Sequence, residues 1–401
     1  MILNSKISLS QMFVFVVLIS CCISSCLGNW NRIHGGGGAV YNTKPNALLS
    51  GRRNAAMWVK ENDIYVLGGR SDTQRVNDFW KYEIKANRWF WQPDVPSSLF
   101  VRSGSSQWII NGLFWLYGGR NDSKTSYSLD DMWSHNPSTR EWKRYTMTSN
   151  PGARFGSSFW TDEENNSLYL FGGKNDTTVL GDVWRFNVVS SSWELVSTKG
   201  LSPRDDAISV RIGDEVYLFG DNAFTSLNLK TMTATNVASK GDEPKKRADS
   251  VMWTNGDVLY LLGGRSDSKT FGDFWSYDTT SNQWFKRNDT IISEARWGSA
   301  FASNRLCEVV LFGGQKQDSS SLSNDLWIFR YVENGNGGSS SDSGNTVVGN
   351  SDYGIDIAIV VLCVLNFLLL SAFLAFLIIR RRTAEPKPGD QPSHDFSVRH
   401  V

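Results

Sequence analysis

The chain has 401 residues and a formal charge of +1, from 41 Lys and Arg against 40 Asp and Glu. Such a balance argues against a nucleic-acid-binding protein, which is usually strongly basic. The 17 Trp and 22 Phe demand a large core to bury them.

The N-terminus reads as an address. Lys6 supplies a positive n-region, Met12 to Ile23 an apolar h-region, and Cys26-Leu27-Gly28 a small-residue cleavage site. Residues 1–28 are therefore expected to be a secretory signal peptide. Cys21, Cys22 and Cys26 would leave with it, and Cys363 lies in a later apolar run, so Cys307 is the one thiol of the intervening region. No internal disulfide is expected there, and packing alone has to stabilise about 300 residues, which is enough chain for a sizeable core.

From residue 29 a pattern recurs six times. Glycine pairs begin at Gly68, Gly118, Gly172, Gly263 and Gly313, with a broken copy, Gly220-Asp221, between the third and fourth pairs. Steps of 43 to 54 residues mean an array of supersecondary units. Each unit opens at an arginine followed by small residues, as in Arg154-Phe155-Gly156-Ser157, which the pattern reads as the start of a first strand. A continuous apolar run ending in Gly-Gly, such as Leu259 to Leu262, suits a second strand buried on both faces. A third strand carries Asp-x-Trp-x-aromatic, for example Asp182, Trp184 and Phe186. A second Trp follows nine residues later in four copies, Trp80/Trp89, Trp133/Trp142, Trp184/Trp193 and Trp275/Trp284. A hairpin joining strands three and four accounts for that spacing.

These Gly-Gly, Asp-x-Trp and Trp spacings resemble the kelch repeat, also seen in the propeller domain of galactose oxidase, in which each unit forms one four-stranded blade. The resemblance covers residues 29–332 and implies an all-β, six-bladed β-propeller. The sixth unit lacks its fourth strand: nine residues after Trp327 stands Asn336, in a Gly/Asn/Ser-rich tract. Asn29-Trp30-Asn31-Arg32-Ile33 looks like the missing strand, so Trp30 is expected to close the ring.

Residues 333–352 are rich in Gly, Ser and Asn and read as a flexible tether. Ile357 to Ile379 is a 23-residue apolar run, at about 1.5 Å per residue long enough for a bilayer. Residues 353–379 are thus expected to form one C-terminal transmembrane helix, and Arg380-Arg381-Arg382 puts the tail, 380–401, in the cytoplasm. The expected product is a single-pass protein of the plasma membrane or a secretory-pathway membrane, glycosylated at the sequons Asn121, Asn165, Asn175 and Asn288.

Strand one starts, and strand two ends, on the same propeller face. That face is expected to gather Arg52, Arg102, Arg154, Arg204, Arg247 and Arg296, together with Arg70, Arg120, Lys174 and Arg265 just after the glycine pairs. Arginine forks suit carboxylate, sulfate or phosphate, so an acidic extracellular protein segment or an acidic glycan is the expected partner. The competing reading makes the repeated Arg architectural, pairing with the Asp of Asp-x-Trp. Two departures from the repeat are further candidates. Trp30 to Arg52 spans 22 residues, against 11 to 13 elsewhere, and includes the tetrad Gly35 to Gly38. The fourth unit has Ala223, Thr225 and Ala234 where Asp, Trp and Trp are expected, which should leave a notch in the rim.

No catalytic set, metal site or cofactor is expected. A galactose-oxidase-like copper centre needs two His, a Tyr and a Tyr–Cys crosslink, and between the leader and the apolar span there are only His34 and His135. His135 stands in the slot of Tyr82, Phe186 and Tyr277 and reads as an aromatic-layer filler. A sugar-converting enzyme of epimerase or mutarotase type is the alternative, because Asp206 and Asp249 lie beside the motif arginines.

Overall fold

A computed structural model describes residues 27–34, 49–220, 223–287, 294–303, 308–317 and 319–332. The leader proper, most of the glycine-rich loop, Asp221, Asn288, Cys307, the tether, the apolar span and the tail lie outside the described residues.

Six four-stranded antiparallel sheets make a six-bladed propeller. We name the strands a to d from the axis outwards. The a strands are Ala56–Lys60, Ser106–Ile110, Ser158–Asp162, Ile208–Ile212, Val251–Asn255 and Ala300–Ser303. Each begins four residues or more after the motif arginine, later than the sequence pattern suggests. The reason is local: the residue two after each arginine has a φ of +50° to +68°, a left-handed conformation in which a strand cannot continue. The b strands, such as Ser167–Phe171, are buried along their whole length in blade 3. Strands c and d form the tight hairpins that the nine-residue Trp spacing implies, with Phe186 opposite Trp193.

The d-strand tryptophans lock blade to blade. Each packs on a ring of the preceding blade: Trp89 on Phe312 at 5.4 Å, Trp142 on Phe79 at 5.5 Å, Trp193 on Tyr117 at 5.2 Å and Trp284 on Phe219 at 5.8 Å between centroids. In blade 4 the position is Ala234, and the junction with blade 3 is filled instead by a cluster that includes Trp160, Phe171 and Leu227, with Leu201 and Met232 at its margin.

Blade 6 closes the ring as the sequence implies. Leu27–His34 pairs antiparallel with Leu326–Val332, Trp30 opposite Phe329. Trp30 is buried against Trp253 of blade 5, edge to face at 5.8 Å. Fully burying such a ring is worth about 3 kcal/mol or more from area alone. The pairing also covers an edge that would otherwise be open to other chains.

Candidate functional site: the upper mouth of the channel

The loops joining d to a and b to c form one face, here called the upper face. The six motif arginines sit beneath it, not on it. Arg52, Arg102, Arg154, Arg204, Arg247 and Arg296 are all buried, at 4 % exposure or less. Five of them grip the aspartate of their own Asp-x-Trp motif with both guanidinium nitrogens. Arg102 donates to Asp131 at 2.8 and 2.7 Å, and Arg296 to Asp325 at 2.8 and 3.1 Å. Arg52–Asp78, Arg154–Asp182 and Arg247–Asp273 repeat the geometry. Each of the five also donates to the carbonyl of the first glycine of its pair. Burial opposes the charge on Asp131, Asp182, Asp273 and Asp325. The arginine hydrogen bonds and positive charge outweigh it and hold all four carboxyls below the usual range, Asp325 at about 2. These arginines are the frame of the blades, and placing them on a ligand surface was the part of the sequence reading that the burial corrects.

Arg204 is the exception. With Ala223 in the aspartate position, it donates to Thr225 Oγ1 at 3.3 Å and to Ser202. Burial lowers its basicity. The eroded blade thus keeps the buried cation, with no carboxylate on it among the described residues.

Above this frame the backbone makes a closed hydrogen-bonded belt. The N–H of Asn54 donates to Gly298 O, Gly104 to Asn54, Gly156 to Gly104, Asp206 to Gly156, Asp249 to Asp206, and Gly298 to Asp249, at 2.7 to 3.1 Å. Each blade contributes one residue, all in the left-handed region. Asn and Asp tolerate that conformation better than other side chains, so the three positions without glycine carry Asn54, Asp206 and Asp249. Asp206 lies across Gly156, where a Cβ would come within 2.3 Å of its Oδ1. Asn54 lies likewise across Gly298 and donates to Asp249 Oδ1 at 3.1 Å. Arg265 Nε donates to Asp249 Oδ2 at 2.7 Å, and its terminal nitrogen is 3.7 Å from Asp206. Burial, then the charges of Asp249 and Asp205, push the Asp206 carboxyl well above its ordinary range. The belt rims a cavity of about 110 Å³, and one of about 240 Å³ lies below it between the a strands.

Around the belt, Asp205, Asp206 and Asp249 of blades 4 and 5 lie with Lys174 and Arg265, and Arg53, Arg70 and Arg120 of blades 1 and 2 lie with Asp122. Arg53 and Arg265 both lie over the Trp297 ring, 4.4 and 4.5 Å from its centroid. Arg120 lies over Tyr127 at 4.4 Å, and it shares Phe155 with Lys174 at 5.4 Å each. Burial first, then the charge of Arg70, lowers the basicity of Arg53; Asp249 opposes them, and Arg265 and Arg75 add smaller lowering. Arg120 Nε is buried without a hydrogen-bond partner.

The four cations after the glycine pairs thus reach the upper face, where the sequence put them. Lys174 is held by Asp205 at 2.5 Å and Arg265 by Asp249, whereas the carboxylate nearest Arg70 among the described residues is Asp122 at 3.9 Å. Sequence reading missed Arg53, Trp297, Tyr127, Phe155 and Asn54. Arg53, Phe155 and Trp297 immediately follow a motif arginine, and one residue along an extended rim turns the side chain from the blade towards solvent. Of the sequons, Asn121 and Asn175 begin b–c loops on this same face, next to Arg120 and Lys174, and Asn165 sits in an a–b hairpin on the opposite side.

Comparison with known proteins agrees with the architecture. The family model of the KLHDC2/KLHL20/DRC7 Kelch-repeats domain matches residues 39–151, 109–288 and 221–335. The chain belongs to the Kelch-repeat propeller family. It is 26% identical to human Kelch domain-containing protein 1 over 326 residues, 68% of this chain and 78% of that protein. It is 29% identical to bovine Kelch domain-containing protein 3 over 225 residues, 50% of this chain, and spans only 57% of that relative's length.

Proposed function

We propose that this propeller is a recognition module that binds an acidic segment of an extracellular protein, or an acidic glycan, on its upper face. The reading rests on the crowded cations of blades 1 and 2. Arg53 is half-buried, loses basicity first to burial and then to Arg70, and stands on the Trp297 ring. A carboxylate or sulfate placed between Arg53, Arg70 and Arg120 would offset their mutual repulsion. The carboxylates of blades 4 and 5 set the orientation of the partner and disfavour uniformly anionic ones. In this proposal the leader 1–28 and the span 353–379 display the module on a membrane, with the tether 333–352 giving it reach. The test is binding of acidic peptides and of sulfated and sialylated glycans to immobilised full-length protein across a salt series. Arg53→Glu with Arg70→Glu should weaken binding at least tenfold and flatten its salt dependence. Unchanged binding refutes the site.

A second reading follows from Asp206. A carboxyl that burial and two neighbouring carboxylates push well above its ordinary range, at the rim of a cavity, is perturbed in the direction a general acid requires. Turnover of a sugar substrate that is lost in Asp206→Asn, with the fold intact, would establish an enzyme.

A further inference from the structure

A third cavity, of about 420 Å³, lies away from the channel, between the outer half of blade 1 and the c–d hairpin of blade 2. Blades 1 and 2 differ at the residue that faces this space. In blade 2 the last position of strand d is Tyr145, whose ring lies 5.2 Å from Trp115 and 6.1 Å from Phe186 of blade 3, with its hydroxyl 3.2 Å from Ser134 Oγ. Tyr145 therefore fills the space between its own blade and the next. The equivalent position in blade 1 is Gln92. Its amide folds back onto the carbonyls of Phe90 and Trp91 at 3.3 and 3.4 Å, and the space is left open.

The walls of this cleft carry a particular chemistry. Tyr65 and Phe90 present rings, and Lys81 Nζ lies 5.7 Å from the Phe90 centroid. Lys81 pairs with Glu83 and sits 3.6 Å from Asp63, and Arg140 pairs with Asp94, so both cations already have carboxylate partners. His135 forms part of the floor. It is 3 % exposed, and burial lowers its pKa to about 4, so the ring is neutral. Among the described residues its Nδ1 is buried without a hydrogen-bond partner.

The geometry points to a second ligand site, one that takes a neutral hexopyranose unit of a glycan. An anionic ligand would have to displace a carboxylate from Lys81 or Arg140 to bind. A pyranose displaces none: its hydroxyls donate to Glu83 and accept from Lys81 and Arg140, and its C–H face lies on Phe90. The volume equals that of about fourteen waters at roughly 30 Å³ each, room for one sugar ring and its bridging waters. The site is independent of the upper face and stands if the reading of that face fails.

The test is saturation-transfer NMR on the purified full-length chain with methyl gluco-, galacto- and mannopyranosides. At least one should bind with a dissociation constant on the order of 1 mM. Gln92→Tyr, which copies the filler of blade 2, should abolish the signal while thermal unfolding is unchanged or raised. If Gln92→Tyr fails to fold, Glu83→Gln and Lys81→Met serve the same purpose from the exposed side. Absence of transfer from all three sugars at about 50 mM, far above that range, overturns the proposal. So does undiminished binding in Gln92→Tyr, or a cleft that Gln92→Tyr closes to acidic peptides and not to sugars.

Discussion

Arg102 and Arg204 hold equivalent places in blades 2 and 4, yet their replacement by Met should have opposite effects. Arg102→Met leaves Asp131 ionised at 5 % side-chain exposure, with only the Trp133 indole still donating to it. Stranding one partner of a buried pair costs about 3–5 kcal/mol. Unfolding entropy of roughly 2.1 cal/mol/K per residue over about 300 residues is near 0.6 kcal/mol/K, so the melting temperature should fall by about 5–8 °C. Arg204→Met strands nothing charged among the described residues, since Ser202 and Thr225 are its partners. It removes a desolvated cation and substitutes an apolar chain of similar length, so stability should hold within about 1 kcal/mol or rise. Scanning calorimetry of both variants at pH 7 makes the comparison. A loss in Arg204→Met as large as that in Arg102→Met would refute the account of blade 4 as a cation without its anion.

Acid should unfold the protein through the same aspartates. Their folded pKa values lie below the unfolded value of about 3.9, so the unfolded chain binds more protons in acid and stability falls as pH drops. Through these four groups alone denaturant midpoints should hold from pH 7 to about 5 and drop steeply below about 4. Asp206 has the reverse sign: its raised folded pKa makes ionisation at neutral pH costly, so Asp206→Asn should raise the melting temperature at pH 7, and that gain should shrink as pH falls towards 4. A gain that persists at pH 4 would show that charge is not its cause. Trp30→Ala should cost about 3–5 kcal/mol by opening a void against Trp253 and Phe329; a variant as stable as wild type would mean that the N-terminal strand does not seal blade 6 in solution.

The propeller was readable because its signals are repeated and local. The Asp-x-Trp pairs and glycine pairs recur at fixed spacing, and even the borrowed strand at Trp30 follows from counting nine residues past Trp327. The site was harder. The motif arginine and its aspartate are 26 to 29 residues apart in sequence, and nothing in the spacing alone says whether the guanidinium turns into the blade or out of it. Burial decides this, and it moved six of the ten expected ligand residues into the scaffold. The belt was legible only in part: glycines at three of its six positions mark the left-handed backbone, but Asn54, Asp206 and Asp249 obey the same backbone rule with side chains that then meet across it. The side cleft is the least visible of all. It depends on a tyrosine being absent at Gln92, and an absence shows only once Tyr145 is seen filling its own gap.

Blade 6 has a mechanical consequence. Strand Leu326–Val332 leads into the C-terminal segment and is flanked on both sides, by Leu27–His34 and by Glu308–Phe312. A pull on its far end, directed along the strand, loads two ladders in shear, so their hydrogen bonds bear the force together and do not open one after another. Under such a load the last blade works as a clasp, and one of its buried residues, Trp30, comes from the N-terminal strand.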